Sequence, residues 1–253
     1  MGGNHVNLRK KIQSEEMIQH LGDVLLDVDS EFRFKCNQCG RCCINQDTII
    51  LNPMDIFNIA KKKGMTTLEV VEAYTEVYIG PSSRIPIVHL LPNGPNGACP
   101  LLENGLCSVH DCKPLVCALF PLGRVAITRK DEQPHERQGP LVKYSFNGCP
   151  FGSGEDVNTV RSWLAKFGIS EHDELNLLWD KLRLGLSQMV MRMEAANISQ
   201  ASLERFWGTI FHLLYIHYDT SQEFIPQFQA TADMLINLSE QFMELPLPSN
   251  QGS

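Results

Sequence analysis

Residues 36–43 read CNQCGRCC, and the interpretation of this stretch decides the interpretation of the fold. It contains four cysteines, namely Cys36, Cys39, Cys42 and Cys43. A C-x2-C step lets two thiolates reach one ion, and Gly40 tolerates the positive φ that such a turn often needs. Neighbouring side chains usually point apart, so Cys42 and Cys43 are expected to serve two metal ions, or to divide into a ligand and a neighbour.

The remaining cysteines come much later, and all nine lie between residues 36 and 149. The later ones are Cys99, Cys107, Cys112, Cys117 and Cys149. Eight or nine thiolates are enough for two sites of four cysteines each, or for one cluster plus a zinc ion. Histidine or carboxylate can complete mixed sites, and His110 is a candidate because it follows Cys107 by three residues.

The spacing leaves several chemistries open. The bacterial ferredoxin pattern C-x2-C-x2-C-x3-C-P matches at its first three cysteines, but Gln46 stands at the fourth position. A ferredoxin repeat is therefore excluded, whereas a cluster with a remote fourth ligand is not. Zinc favours tetrahedral thiolate sets at similarly short spacings. A thioredoxin-like redox pair fits less well because no helix pattern follows, and full disulfide pairing would leave one cysteine over.

Composition narrows the cellular setting. The chain has 253 residues, 43% of them hydrophobic, and a net charge of −7. The negative charge argues against a nucleic-acid partner or an anionic membrane surface. No apolar run approaches the roughly 18 residues of a membrane span, and the first residues lack the apolar part of a signal peptide. A cytoplasmic location is expected, and in a reducing cytosol cysteines are more often metal ligands or redox groups than disulfides.

Short elements of both kinds surround the cysteines, which predicts an α+β fold. Asn52, Pro53 and Gly64 fit the N-cap, first position and C-cap of one helix. A capping box of Thr66 and Glu69 opens a second helix, expected over TTLEVVEAYTEVYIG. RIPIVHLL, GRVAITRK and LVKYSF are predicted strands. This irregular middle would gain order from a metal cross-link, which offsets the entropy lost on folding.

The flanks of this core are expected to be helical. SEEMIQHLGDVLLDVD predicts an N-terminal helix, and from about Glu155 apolar stripes predict a mainly helical C-terminal region. The predicted organisation is an N-terminal helical segment at 1–31, a cysteine-cluster metal-binding domain at 32–152, a helical region packed on it at 153–246, and a disordered tail at 247–253. The C-terminal helices are expected to support the domain or bind a protein partner.

Three quoted stretches together carry a family resemblance. FKCNQCGRCC, CPLLENGLCSVHDCKPLVCALFP and the CP at 149 occur in this order. The combination resembles the CxxCxxCC family, the YkgJ-type cysteine-cluster proteins, described as a zinc- or iron-chelating domain. The resemblance covers about residues 32–152. Lys113 and Pro114 align with the family's usual Arg-Pro, His110 falls where a tyrosine is common, and Cys112 lies outside the usual pattern.

The resemblance implies a set of metal ligands and a function. The implied ligands are Cys36, Cys39, Cys42, Cys43, Cys99, Cys107, Cys117 and Cys149. The implied cofactor is zinc or iron, the latter also as an iron–sulfur cluster, and the implied function is chelation. Some larger relatives with a similar cysteine pattern are flagellin lysine methylases. An iron-dependent redox or protein-modifying enzyme is therefore the alternative, although the sequence contains no obvious S-adenosylmethionine loop.

Overall fold

The computed structural model describes residues 25–46, 49–127, 141–149, 152–172 and 174–245. They divide into two compact units. Unit one holds the described residues within Met1–Asn37 and Leu119–Glu171, and unit two holds those within Gln38–Ala118 and His172–Ser253. Helices and short strands occur together, so the predicted α+β class is confirmed. The predicted division into segments at 1–31, 32–152, 153–246 and 247–253 stays a prediction.

The strands are short and the longer helices come late in the chain. The strands are β1 Glu31–Lys35, β2 Ile50–Leu51, β3 Thr75–Ile79, β4 Pro86–Leu90, β5 Leu102–Glu103, β6 Leu106–Cys107, β7 Leu122–Ile127, β8 Leu141–Phe146 and β9 Ser153–Thr159. The α-helices are α1 Pro53–Lys63, α2 Thr67–Tyr74, α3 Leu115–Leu119, α4 Val160–Ala165, α5 Glu174–Ala195, α6 Gln200–Phe211 and α7 Phe224–Glu244. Two 3₁₀ turns, Arg41–Cys43 and His110–Cys112, lie within the cysteine region, and a π-helical turn, His212–Ile216, continues α6.

Unit one is organised by two antiparallel strand pairs and an aromatic core. β1 pairs with β9 and β7 pairs with β8. The alternation in β1 buries Phe32 and Phe34, whose ring centroids lie 5.8 and 5.4 Å from the Trp163 ring of α4. The Trp163 indole N–H donates to the Leu119 carbonyl at 3.1 Å. Trp163 therefore links the helix of this unit to its β1 strand and to the start of its second chain segment.

Unit two packs a small sheet and two N-terminal helices with the three C-terminal helices. Its sheet has the order β2-β4-β3, and β5 pairs separately with β6. The continuous core includes Ile56 and Ile59 of α1, Leu182 of α5 and Phe228 of α7, each at most 1% exposed. Because Ile56 and Ile59 belong to this core, α1 is packed firmly into unit two. The same helix contacts the cysteine-bearing segments.

The predicted helix starts and stops are confirmed where the capping chemistry is explicit. Asn52 caps α1 in a reciprocal capping box with Asp55, Pro53 is its first residue, and Gly64 ends it in the left-handed region. The capping box of Thr66 and Glu69 opens α2. The predicted strands are present as β4, β7 and β8.

Several predicted elements are wrong in extent. The second helix ends at Tyr74, and the next five residues form β3, because their β-branched and aromatic side chains pair with β4. The chain is not yet helical at Glu155, since Ser153–Thr159 is β9, paired with β1. Of the predicted N-terminal helix, residues 14–24 lie outside the described residues, whereas 25–29 form a bridge and a turn. The predicted tail at 247–253 also lies outside the described residues.

The C-terminal apolar stripes are confirmed as core, with exceptions. Leu182, Leu186 and Met189 are buried in α5 as predicted. In α7, Phe228 and Leu235 of the predicted stripe are buried, whereas Met234 and Leu238 of the same stripe are half exposed. Among the described residues, none of the helices combines the length and the apolar character that a membrane span requires.

Candidate metal centre

The four-cysteine stretch folds as a tight turn built on Gly40. This glycine has φ 68°, in the left-handed region, and its carbonyl accepts a hydrogen bond from the Cys43 N–H at 2.9 Å. A Cβ at Gly40 would lie 2.8 Å from the Gly105 carbonyl oxygen of the β5–β6 turn. Gly40 therefore permits both the turn and its close approach to a second cysteine-bearing segment.

Gly40→Ala should destabilise unit two by about 2–3 kcal/mol, because it adds left-handed backbone strain to a contact that forces the β5–β6 turn to move. Gly105→Ala is the matched control: its φ is 77°, but a Cβ there meets no atom within 4 Å. The control should lose only about 1 kcal/mol. Urea denaturation of both variants measures the difference, and equal losses would show that the close approach is unimportant.

Backbone pairing brings the second cysteine block to the turn. The Cys99 N–H donates to the Cys43 carbonyl at 2.8 Å, and the Asn45 N–H donates to the Gly97 carbonyl at 2.8 Å. Between them, Ile44 and Ala98 form an antiparallel bridge. Cys43 and Cys99 are thus direct neighbours although 56 residues separate them in sequence.

The β5–β6 hairpin adds Cys107 to this neighbourhood. Cys107 is the register partner of Leu102, whose N–H donates to the Cys99 carbonyl at 3.0 Å. Directly after the hairpin, the Ser108 N–H and hydroxyl both donate to the Leu101 carbonyl at 2.9 Å. These bonds fix the hairpin across the segment that carries Cys99.

Helix α1 contacts the block from Cys99 to Cys117 at three points along its length. At its start, Asp55 accepts the Leu115 N–H of α3 at 2.9 Å, and α3 carries Cys117. Near its end, Lys62 pairs with Asp111 at 2.6 Å and Lys63 pairs with Glu103 at 2.5 Å. One regular helix therefore positions three otherwise irregular segments.

Five thiols of unit two influence one another's charge. Burial is the largest cause that raises the pKa of Cys99, and the negative charges of Cys107 and Cys42 raise it further. Burial likewise raises the pKa of Cys117 to about 12, with the charge of Cys99 as the next cause. The five are Cys42, Cys43, Cys99, Cys107 and Cys117. They come from the turn, the hairpin region and α3, so the fold brings together three separate parts of the sequence.

Two lysines act on these thiols, namely Lys63 on Cys107 alone and Lys113 on three of them. The charge of Lys113 acts to lower the pKa of Cys42, Cys107 and Cys117. It opposes the burial of Cys107 and Cys117 without reversing it, so both thiols keep pKa values above the usual range. Lys113 is the residue that aligns with the family's arginine, and it carries the same sign of charge.

The expectation that Cys42 and Cys43 point apart is wrong. The Cys43 thiol donates to Cys42, which is the main reason that the pKa of Cys42 falls to about 6 and that of Cys43 rises. The 3₁₀ turn explains the geometry, because it bends the chain between the two residues instead of alternating their side chains as an extended strand would. Whether the two cysteines serve one metal ion or two stays a prediction.

Cys112 and His110 lie at the edge of this group. The Cys112 thiol faces the Asn58 carbonyl of α1 at 3.8 Å, and burial followed by the charge of Asp111 raises its pKa. The charge of Cys107 also raises the pKa of Cys112, so this thiol interacts with one member of the group. His110 is exposed, and partial burial followed by the charge of Lys113 lowers its pKa. No interaction with a cysteine contributes to that shift, so His110 has no special relation to the five thiols.

Cys36 and Cys149 belong to unit one. Cys36 follows directly on β1, and Cys149 precedes β9, with its carbonyl accepting the Gly152 N–H at 3.4 Å. A Cβ on Gly152 would lie 3.1 Å from the Lys35 carbonyl oxygen, so the chain segments leading to both cysteines approach each other. Cys39, in unit two, is exposed like Cys36.

All nine cysteines are free thiols, and the described residues contain no group of three or more His, Cys, Asp or Glu side chains arranged to hold a metal ion. The donor chemistry nevertheless fits zinc or iron, since five thiols converge in a partly buried region beside a lysine. Backbone positions bring the donors together, and the side chains would have to turn toward a common centre when an ion binds.

The sequence was compared with family models, curated proteins and solved structures. A family model described as "CxxCxxCC: Putative zinc- or iron-chelating domain" matches residues 35–138. Residues 35–138 thus match the model of the CxxCxxCC domain, and we call this matched region the CxxCxxCC domain. The match includes seven of the eight predicted ligands and excludes Cys149, and it identifies the family without a subtype. No curated protein and no solved structure matched the chain.

Three residues that connect distant parts of the CxxCxxCC domain have little or no signature in the sequence. Asp55, Lys62 and Lys63 all lie on α1 and contact residues 40 to 60 positions away. The sequence places Lys62 and Lys63 in the last turn of the helix that ends at Gly64, where basic residues are common, and it gives no sign of their distant partners. Asp55 carried a detectable signal, because a carboxylate three residues after an Asn N-cap predicts a capping box, but its second bond to Leu115 has no sequence signature.

Proposed function

We propose that the CxxCxxCC domain binds zinc or iron through cysteine thiolates, with ligands drawn from Cys42, Cys43, Cys99, Cys107 and Cys117. The observation that carries this proposal is the backbone pairing of the turn with the Cys99 segment, where the Cys99 N–H donates to the Cys43 carbonyl at 2.8 Å. The charges of the five thiols, which come from three parts of the chain, also act on one another. The raised pKa values of Cys43, Cys99, Cys107 and Cys117 favour neutral thiols in the absence of an ion, because grouped thiolates would repel one another. A divalent cation supplies the charge that makes such a group favourable.

The remaining predicted ligands have weaker support. Cys39 lies next to Gly40, at the turn that leads to Cys42, and it would complete a set of six thiols in unit two. The proposed ligand roles of Cys36 and Cys149 rest on the family resemblance, and Cys149 lies outside the matched residues. Cys112 is proposed as a non-ligand because its thiol faces the Asn58 carbonyl.

In this proposal the ion is first of all a cross-link. The turn, the β5–β6 hairpin and the five-residue helix α3 contain little regular structure, so their order depends on a few hydrogen bonds. An ion bound by all three would offset the entropy that ordering them costs, because its binding free energy adds to the free energy of folding. We propose cytoplasmic location on the same basis, since a reducing compartment keeps thiols free for metal.

The proposal is tested by purifying the full chain without oxygen, followed by elemental analysis and visible spectroscopy. A colourless protein with about one or more zinc ions per chain supports the zinc form. A brown protein with iron and acid-labile sulfide supports the iron–sulfur form. Absence of both metals, together with nine titratable thiols, would contradict metal binding. The protein-modifying enzyme and the protein partner of the C-terminal helices stay predictions that no structural observation favours.

A further inference from the structure

Asp55 combines burial with an unusual pair of hydrogen bonds. It is 5% exposed, and its two carboxylate oxygens accept from different parts of the chain. One oxygen accepts the Asn52 N–H at 2.9 Å, which closes the capping box of α1. The other accepts the Leu115 N–H at 2.9 Å, across a sequence separation of 60 residues. One side chain therefore stabilises the first turns of two helices.

The first N–H group of helix α3 needs a hydrogen-bond acceptor from another part of the chain. It has five residues, and it follows Pro114, which has no N–H to donate. The Leu115 N–H is the first donor of the helix, and Asp55 accepts it. Cys117 lies two residues further on, within the same turn, and the Ala118 N–H closes that turn onto the Pro114 carbonyl at 2.8 Å. The direction of the Cys117 side chain therefore depends on how α3 begins.

We propose that Asp55 is a positioning residue of the metal centre, which fixes the start of α3 and thereby aims the Cys117 thiolate at the ion. This inference rests on the proposed metal-binding function and assigns a role to a residue outside the cysteine pattern. Asp55 has no ligand role in it. The core of unit two holds Asp55 rigidly, because its neighbours Ile56 and Phe57 on α1 are 0% and 2% exposed. The carboxylate can therefore hold the start of α3 in place, since a helix of five residues is too short to be stable alone.

The test compares Asp55→Ala and Asp55→Asn with Asn52→Ala in the full chain. Asn52→Ala removes the side-chain acceptor of the Asp55 N–H but leaves the bond between Asp55 and Leu115, so it controls for loss of the α1 cap. Each metal-free, reduced protein is titrated with Co²⁺ in competition with a chelator. The readouts are the affinity and the intensity of the thiolate-to-cobalt charge-transfer band per bound ion.

Asp55→Ala should weaken Co²⁺ binding by about 10–100-fold, the range typical for residues that orient ligands. The charge-transfer intensity per ion should fall by roughly one quarter, as expected when one of four thiolates is lost. Asp55→Asn should give a smaller effect of the same sign, because one amide oxygen cannot serve both N–H groups as the carboxylate does. It also provides the test if Asp55→Ala fails to fold. Asn52→Ala should change the affinity less than about threefold and leave the band unchanged.

The outcomes separate this inference from the proposed function. Wild-type affinity and band intensity in both Asp55 variants would overturn the positioning role while leaving metal binding intact. Equal losses in Asn52→Ala and Asp55→Ala would also overturn it, because the α1 cap would then be the cause. If the wild-type chain shows no thiolate-to-cobalt band, the proposed function fails and the positioning role fails with it.

Discussion

Cys99→Ser should lower the metal content of the purified chain by at least about tenfold, because it removes a thiolate at the centre of the five that converge. Cys99 lies against Cys43 through a 2.8 Å backbone hydrogen bond, and its charge contributes to the raised pKa values of Cys43 and Cys117. Loss of the ion should also loosen residues 38–118, since the short segments there would lose their cross-link. Elemental analysis and hydrogen exchange measure the two effects.

Cys112→Ser is the matched control for this experiment. It makes the same chemical change in the same part of the chain, at a partly buried thiol that faces the Asn58 carbonyl. The control should keep its metal and its exchange protection. Retention of wild-type metal content by Cys99→Ser would remove Cys99 from the ligand set. Equal loss from both variants would show that Cys112 is a ligand too, contrary to its assignment as a non-ligand.

Trp163→Ala should have the largest effect on stability, a loss of about 3–5 kcal/mol confined to unit one. Trp163 is 4% exposed, its ring contacts Phe32 and Phe34, and its N–H bonds the Leu119 carbonyl. Truncation leaves a large cavity and an unpaired buried carbonyl. Hydrogen exchange of β1 and β9 should become at least about 100-fold faster, while the α5 and α7 amides keep their wild-type rates.

Phe146→Ala serves as the control, because its ring lies 5.6 Å from Phe32 but is 44% exposed. Its loss should cost only about 1 kcal/mol, in proportion to the smaller area that it buries. Unchanged exchange of β1 in Trp163→Ala would mean that the aromatic cluster does not hold unit one together. Faster exchange in the α5 and α7 helices of that variant would mean that the two units unfold as one.

Local chemistry made part of the fold predictable. The caps of α1 and α2 were identified because Asn52, Gly64, Thr66 and Glu69 each satisfy backbone groups within four residues. The buried stripe of α5 was identified because its period matches the helix. Such signals depend only on neighbours in sequence.

The errors come from contacts between distant residues. The second helix was extended over β3 because nothing local ends it, whereas pairing with β4 draws those residues into a sheet. The strand β9 has a polar sequence with no strand signal, and its partner is β1, more than 100 residues earlier. The β1 strand itself alternates as EFRFK, a period-two pattern that could have been recognised.

The candidate site divides in the same way. The cysteine spacing indicates that the turn at 36–43 needs partners from the later block. The backbone hydrogen bond from the Cys99 N–H to the Cys43 carbonyl supports this. The relation of Cys42 to Cys43 was predicted wrongly, because it depends on whether the chain is extended or turned at that point. The contacts of Asp55, Lys62 and Lys63 could not be predicted, since each joins residues that only the complete fold brings together.

The most direct test of the central claim is X-ray absorption spectroscopy of the metal that copurifies with the full chain. Binding through cysteine thiolates predicts a first shell dominated by sulfur, at about 2.3 Å for zinc. An iron–sulfur cluster would add a second shell of iron atoms. A first shell of nitrogen and oxygen alone, at about 2.0–2.2 Å, would contradict thiolate ligation by the CxxCxxCC domain.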